Sequence, residues 1–227
     1  TSNSQEIFSA RKHMSPGDSI ALIHIPKLVV PELYKSSNPP LLPSSLDNSE
    51  LPYFRPVFTQ DGWSCGQAAS TGYDFTYEIN RLRDLPADTS INQYPTHFGY
   101  NFFTQGIYET GVCYMYTMEV LKMFGTPGVY DYGGMSNGHL YWMSGYEKYY
   151  HAMQNRLSDV YSIYTGNEEG INTVKYWLHD HLNGSQYGGL ANFYTDLYGF
   201  THLLPGTPEE GKCVITSFGP FSGHAMT

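Results

Sequence analysis

Basic residues are scarce in this chain: 12 Lys and Arg stand against 21 Asp and Glu, a formal net charge of −9 at pH 7. Phosphate contacts need Lys and Arg, so this balance argues against nucleic acid as a partner, and against an anionic membrane surface. Charged residues of both signs make up only 15% of the chain, below the roughly 25% of an ordinary soluble domain. Long apolar runs are missing too: no stretch approaches the ~18 residues a membrane-crossing helix needs. There are 3 cysteines, Cys65, Cys113 and Cys213, too few for a disulfide scaffold. The odd number leaves at least one thiol free. No signal peptide opens the chain, and Thr1 is not a start methionine. A processed, trimmed or fragmentary chain is therefore expected.

Aromatics, by contrast, are abundant: 21 Tyr, 12 Phe and 3 Trp, together 16%. That excludes a disordered chain. At roughly 150 residues per domain, 227 residues make one large or two small domains, long enough to build a core without metal or disulfide staples. Low charge, many tyrosines and few lysines suit a secreted or cell-surface protein.

Residues 1 to about 52 lack sustained periodicity and are broken by prolines, with 1–41 forming a segment ahead of the main domain. They are read as an extended segment or pro-piece remnant, with one strand around Ile20 to Ile25. From Cys65 the pattern turns helical: Ala68, Ala69, Phe75, Ile79 and Leu82 share a face up to Asp84 and Pro86. A second helix is expected over Tyr114–Phe124, with Met115, Met118, Leu121 and Met123 inward and Gly125 as its stop. A third spans Tyr141 to Leu157. A fourth opens on a capping box of Thr165 and Glu168, buries Ile171, Val174, Trp177, Leu178 and Leu182, and stops at Asn183-Gly184. Strand-like runs follow at Gly189 to Tyr194, at Lys212 to Phe218 and from His224 onward. Helices first and strands late predict an α+β fold.

The chemistry concentrates in Gln60-Asp61-Gly62-Trp63-Ser64-Cys65-Gly66-Gln67. A cysteine that opens a helix meets unpaired N–H groups and a partial positive charge, which favour thiolate over thiol. The same N–H groups can hold an oxyanion, with the Gln60 amide as second donor. Near the other end, Gly223-His224-Ala225 places a histidine after a turn, entering an apolar strand. A thiolate nucleophile needs such an imidazole close in space, not in sequence.

These motifs resemble the papain-like cysteine peptidases, of a secreted bacterial kind. The likeness runs from Leu42-Pro43-Ser44-Ser45-Leu46-Asp47 through Gln60, Ser64-Cys65-Gly66 and Thr110-Gly111 to Gly223-His224-Ala225. His224 lies slightly further downstream of Cys65 than the roughly 130–150 residues of papain-type enzymes. The resemblance implies a helical subdomain and an antiparallel β subdomain over residues 42–227, with the site in the cleft between them. It implies Cys65 as nucleophile, His224 as base and then acid, Gln60 as oxyanion donor, and Gly111 and Gly223 as substrate-binding positions. A peptide or protein substrate, no metal and no cofactor are expected.

Three departures stand against it. Gly66 replaces the aromatic that follows the nucleophile, and the partner of the usual upstream disulfide is absent. The chain also stops before the asparagine that orients the histidine in this family. The β part is therefore expected to be incomplete, or completed by another chain. A catalytically silent domain serving adhesion or assembly is the alternative. His179-Asp180-His181 is read as a polar last helical turn, since i and i+2 face apart on a helix. Tyr141, Tyr146, Tyr149, Tyr150, Tyr161 and Tyr164 are read as core-edge residues ahead of a sugar-binding surface. Pairing of Cys113 with Cys213 would leave Cys65 free.

Overall fold

The structure, a computed structural model, describes residues 23–104, 111–136, 141–196, 200–202, 206, 213–215 and 223–227. Its elements are α1 (Glu32–Lys35), α2 (Cys65–Gln67), a π-helical segment (Ala68–Phe75), α3 (Thr76–Arg83), α4 (Thr96–Tyr100), α5 (Tyr114–Phe124), α6 (Val129–Tyr132), α7 (Tyr146–Met153) and α8 (Glu168–Asp180). Four short strands follow: β1 (Phe193–Asp196), β2 (Phe200–His202), β3 (Cys213–Ile215) and β4 (Gly223–Met226). Strands β1 and β4 pair antiparallel, with Thr195 opposite His224 and Tyr194 opposite Ala225. Strands β2 and β3 form a second antiparallel pair. Helices therefore precede a small antiparallel β part, an α+β arrangement.

The central element is one continuous helical rod, α2 through α3. Apolar periodicity forms it, and Asp84, left-handed at φ 53°, ends it, its N–H meeting the carbonyls of Asn80 and Arg81. Phe75 and Ile79 on this rod pack with Tyr94 and with Leu121 of α5. A neighbouring cluster joins Phe98, Val120, Tyr132, Met143 and Ala152. Buried tyrosines place their hydroxyls on acceptors: Tyr77 donates to the Gly188 carbonyl at 2.6 Å. Tyr34 donates to Asp180 at 2.7 Å. A tyrosine-rich core is tolerable on this condition only, because a buried hydroxyl without a partner is costly.

Several expectations are corrected. The Cys65 helix contains a π segment, which 3.6-residue periodicity does not reveal, and Leu82 on it is exposed. Met123 of α5 is exposed as well. The third helix is shorter than expected because Gly145, at φ 103°, sits just before Tyr146 and breaks the pattern. Helix α8 is capped by Asn167, whose side chain accepts from the Gly170 N–H, not by Thr165. It ends at His181, left-handed at φ 56°, before Asn183-Gly184, and Ile171 on it is exposed. Its buried face is Gly170, Thr173, Tyr176 and Asp180.

Ile23 and His24 are helical and Ile25 lies in a bend where a strand was expected; residues 20–22 of that run lie outside the described residues. Strand β1 begins later than the run from Gly189. Lys212 and residues 216–218 also lie outside the described residues. Residues 26–41 lie against the body: the Leu28 N–H bonds the Ser162 carbonyl at 3.0 Å, and the Tyr176 hydroxyl bonds that of Pro40 at 3.2 Å. Tyr146, Tyr150, Tyr161 and Tyr164 are half or more exposed rather than core-edge, while Tyr141 packs on the cluster around Tyr132. Among the described residues no helix is long and apolar enough to cross a membrane.

Gly66 explains the missing aromatic after Cys65. A Cβ there would stand 2.6 Å from the Val112 carbonyl oxygen, so the segment ahead of α5 lies directly on the helix. Gly66→Ala is expected to cost ~1–3 kcal/mol by forcing these backbones apart. Gly128→Ala serves as the control, since its Cβ would meet nothing closer than 3.8 Å. Paired urea denaturations measure the difference.

Candidate functional site

The loop before α2 is tightly folded. Gly62 takes φ 60°, a left-handed turn that glycine adopts without strain. The Ser64 hydroxyl donates to the Asp61 carbonyl at 2.7 Å. Ser64 then starts the helix: its carbonyl accepts from Gln67 N–H at 3.0 Å and Ala68 N–H at 2.8 Å. Cys65 is the first helical residue, carries a free thiol and is partly exposed. Reactive thiols in general need such access to solvent.

Strand β4 packs against the first turn of this helix. Thr227, just past the strand, sets its hydroxyl oxygen 2.9 Å from the Ala69 carbonyl, one turn beyond Cys65. Ala225 is buried and its neighbour His224 half-buried. Burial pushes the His224 imidazole below its ordinary pKa, because the cation loses hydration. A neutral ring is the form that accepts a proton from a thiol.

Gln60 is turned differently from the sequence expectation. Its amide N–H donates to the Gly62 carbonyl at 3.0 Å, inside its own loop. Gly111 is half-buried ahead of α5, and the next residue, Val112, is the one whose carbonyl rests on Gly66. The backbone of Gly223 opens β4; the turn before it lies outside the described residues. Cys113 is buried and its sulfur accepts the Tyr194 hydroxyl at 3.0 Å; the considered pairing involves the Cys213 side chain, which lies outside the described residues.

Three supporting groups escaped the sequence reading. Gln67 is fully buried and donates to the Val112 carbonyl at 3.2 Å and to Thr117 Oγ1 at 2.8 Å, locking α2 onto α5. Its one sequence signal is an amide within an otherwise apolar helical run. His97, fully buried on α4, brings Nε2 within 3.9 Å of Asp61 in the loop before α2. That pairing joins residues far apart in the chain and leaves no local signal. Asp74, on the π segment, accepts from Asn192 at 2.5 Å. Desolvation pushes its carboxyl well above the usual range; the nearby Glu78 carboxylate adds to this and the Asn192 bond opposes it.

His179-Asp180-His181 is structural in its contacts. Asp180 holds Tyr34, and His181 lies between the Tyr187 carbonyl at 2.8 Å and Glu78 at 3.0 Å. Among the described residues no group of three or more His, Cys, Asp and Glu is placed to hold a metal ion. Compared with family models, with curated proteins and with solved structures, the chain shows no match to any of them.

The raised Asp74 carboxyl has a signed consequence. The folded state holds this proton more tightly than the unfolded state, so its contribution is most favourable below the ordinary Asp range, near pH 3.9. Stability is lost as pH rises from there toward the folded pKa, by at most ~1.4 kcal/mol per pH unit. Asp74→Asn keeps an acceptor for Asn192 and cannot ionise. Its stability relative to the parent is expected to improve between pH 4 and pH 7 in urea denaturation; a difference constant over that range would show that Asp74 does not titrate in this way.

Proposed function

We propose that the chain is a papain-like cysteine peptidase domain, secreted or displayed at the cell surface, with Cys65 as nucleophile and His224 as base and acid. The observation that carries this reading is the seating of β4, the strand of His224, on the first turn of the helix that Cys65 opens. Two residues far apart in sequence are thereby delivered to adjoining elements. A merely structural cysteine needs no such neighbour.

The steps follow from these groups. His224 takes the Cys65 thiol proton, and the sulfur attacks the scissile carbonyl of a peptide. The oxyanion is held at the helix start by the Cys65 N–H and the second N–H of Gln60. As the tetrahedral species collapses, the C–N bond breaks and His224 returns the proton to the leaving amine. Water, deprotonated by His224, then attacks the thioester; the acid product departs and the thiol is restored. Gly111 and Gly223 are the backbone positions proposed to line the bound peptide.

The rival reading is a silent domain of the same ancestry that binds a protein partner. Two observations favour it: the Gln60 amide is engaged with Gly62, and the stacked Tyr146 and Tyr150 stand exposed on α7.

Alkylation of Cys65 by iodoacetamide, followed by peptide mass mapping, separates the two. On the enzyme reading, Cys65 reacts at pH 6 far faster than a free model thiol. His224→Ala lowers that rate ~10²-fold or more, the usual worth of a positioned base. Equal rates in parent and variant would remove His224 from the chemistry. A peptide-based thiol-reactive probe that labels Cys65 no faster than iodoacetamide does would favour the binding domain.

A further inference from the structure

Helix α8 ends in a strained turn. His181 and Leu182 both take φ 56° and Gly184 takes φ 73°, so the backbone is left-handed at three positions in quick succession. Such strain persists only where the surroundings hold it, and it gathers at working sites. Leu182 is held by burial against Tyr34 and Tyr176. Asn183 is turned outward and exposed. A Cβ on Gly184 would meet nothing within 4 Å, so the space beside the Asn183-Gly184 peptide is open.

The turn holds the parts of an intramolecular acyl transfer. An asparagine side-chain amide can be attacked by the backbone nitrogen of the next residue, and glycine there leaves that nitrogen unshielded. Asn183 Oδ1 accepts from the Ser185 N–H at 3.0 Å and from the Ser185 hydroxyl at 2.5 Å. Two donors on a carbonyl oxygen stabilise the oxyanion that forms when its carbon is attacked. The nucleophile is restrained instead. The Gly184 N–H donates to the Tyr34 hydroxyl at 2.9 Å, and that hydroxyl donates to Asp180 at 2.7 Å. Asp180 is itself fixed, since its other oxygen accepts the Leu182 N–H at 3.0 Å. Tyr34 and Asp180 are 8% and 4% exposed. The electrophile is thus activated while the nucleophile is tied to a buried pair.

We propose that Asn183 is a self-modification site, converted through a cyclic imide to aspartate and isoaspartate, with Tyr34 as the latch that sets its rate. The Gly184 nitrogen bonds to Asn183 Cγ, the Cγ–Nδ2 bond breaks, and ammonia departs carrying the Gly184 proton. Water then opens the imide at either carbonyl, and a carboxylic acid remains. Tyr34 belongs to α1, in the segment 26–41 that lies against the body, so docking of that segment slows the reaction. Conversion loosens the segment in return. The imide has no N–H to give Tyr34, and the acid adds a negative charge to the turn that already holds Asp180. This site stands apart from the peptidase reading and does not depend on it.

The test incubates the whole chain at pH 8 and follows Asn183 by peptide mass mapping, with the free peptide of the turn beside it. Asn137-Gly138, the same dipeptide elsewhere in the sequence, is the internal control. Tyr34→Phe is expected to raise the Asn183 rate about three- to tenfold, the worth of one ordinary hydrogen bond, and to leave Asn137 unchanged. Should that variant fail to fold, Ser185→Ala, which takes one donor from Oδ1, is expected to slow conversion by a similar factor. Converted protein is expected to be cut by trypsin after the exposed Lys35 faster than fresh protein. The proposal is overturned if Asn183 stays unconverted while the free peptide reacts, or if the variant used leaves its rate unchanged or moves it the other way. It is also overturned if Tyr34→Phe raises both asparagines alike, or if conversion leaves cleavage after Lys35 unchanged.

Discussion

The contact of the Val112 carbonyl with Gly66 is the constraint on which the arrangement rests. Two backbones meet there with no side chain between them, and the buried Gln67 amide fastens them by donating to Val112 and to Thr117. Thr117 in turn packs against Gly99 of α4, so three helices converge over small residues. Close packing at native density leaves such a junction little freedom to shift. The thiol at the head of α2 inherits that fixity. So does the Asp61–Ser64 turn, clasped by its own hydroxyl-to-carbonyl bond and faced by His97 from α4.

The π segment after Cys65 shapes what lies around it. Widening from i→i−4 to i→i−5 bonding inserts extra chain into the rod and shifts the phase of its faces. Residues 66–72 are all buried, more than one stripe of an ordinary amphipathic helix. Hydroxyls occupy the space: Ser70 bonds back to the Gly66 carbonyl at 2.7 Å, and Thr76 to Thr71 at 2.9 Å. The same rod presents Asp74 toward Asn192, and Asn192 accepts the Thr227 hydroxyl at 2.6 Å. A chain of polar contacts therefore runs from the rod to the end of β4 and keeps the strand of His224 seated.

Few charges are available to this protein, and several of them are buried. Glu78 accepts from Arg81 on its own helix and faces His181 at the end of α8. That cluster joins the rod to α8 beside the Trp177 ring. Arg55 and Asp74 stand in contrast, each away from opposite charge, and their shifts have the same origin in lost hydration. Desolvation also lowers the His224 imidazole. With so little charge overall, burial rather than ion pairing sets the protonation of these groups.

Local chemistry determined much of what is seen. Apolar spacing marked the Cys65 helix and the bounds of Tyr114–Phe124, because a buried stripe repeats with the helical period and glycine ends it. The thiol at a helix start was legible for the same reason. What the sequence could not fix was every feature decided by a partner distant in the chain. Glycine at 66 looked like a departure until a backbone carbonyl was found above it. Thr165 and Asn167 are both credible caps, and only the path of the chain chose Asn167. Gln60 had the chemistry of an oxyanion donor, yet the turn at Gly62 offered its amide a nearer acceptor. The pairing of His97 with Asp61, the burial of Arg55 and the seating of β4 on α2 were tertiary decisions. Periodicity reports which face of an element is buried; it carries no record of which element buries it.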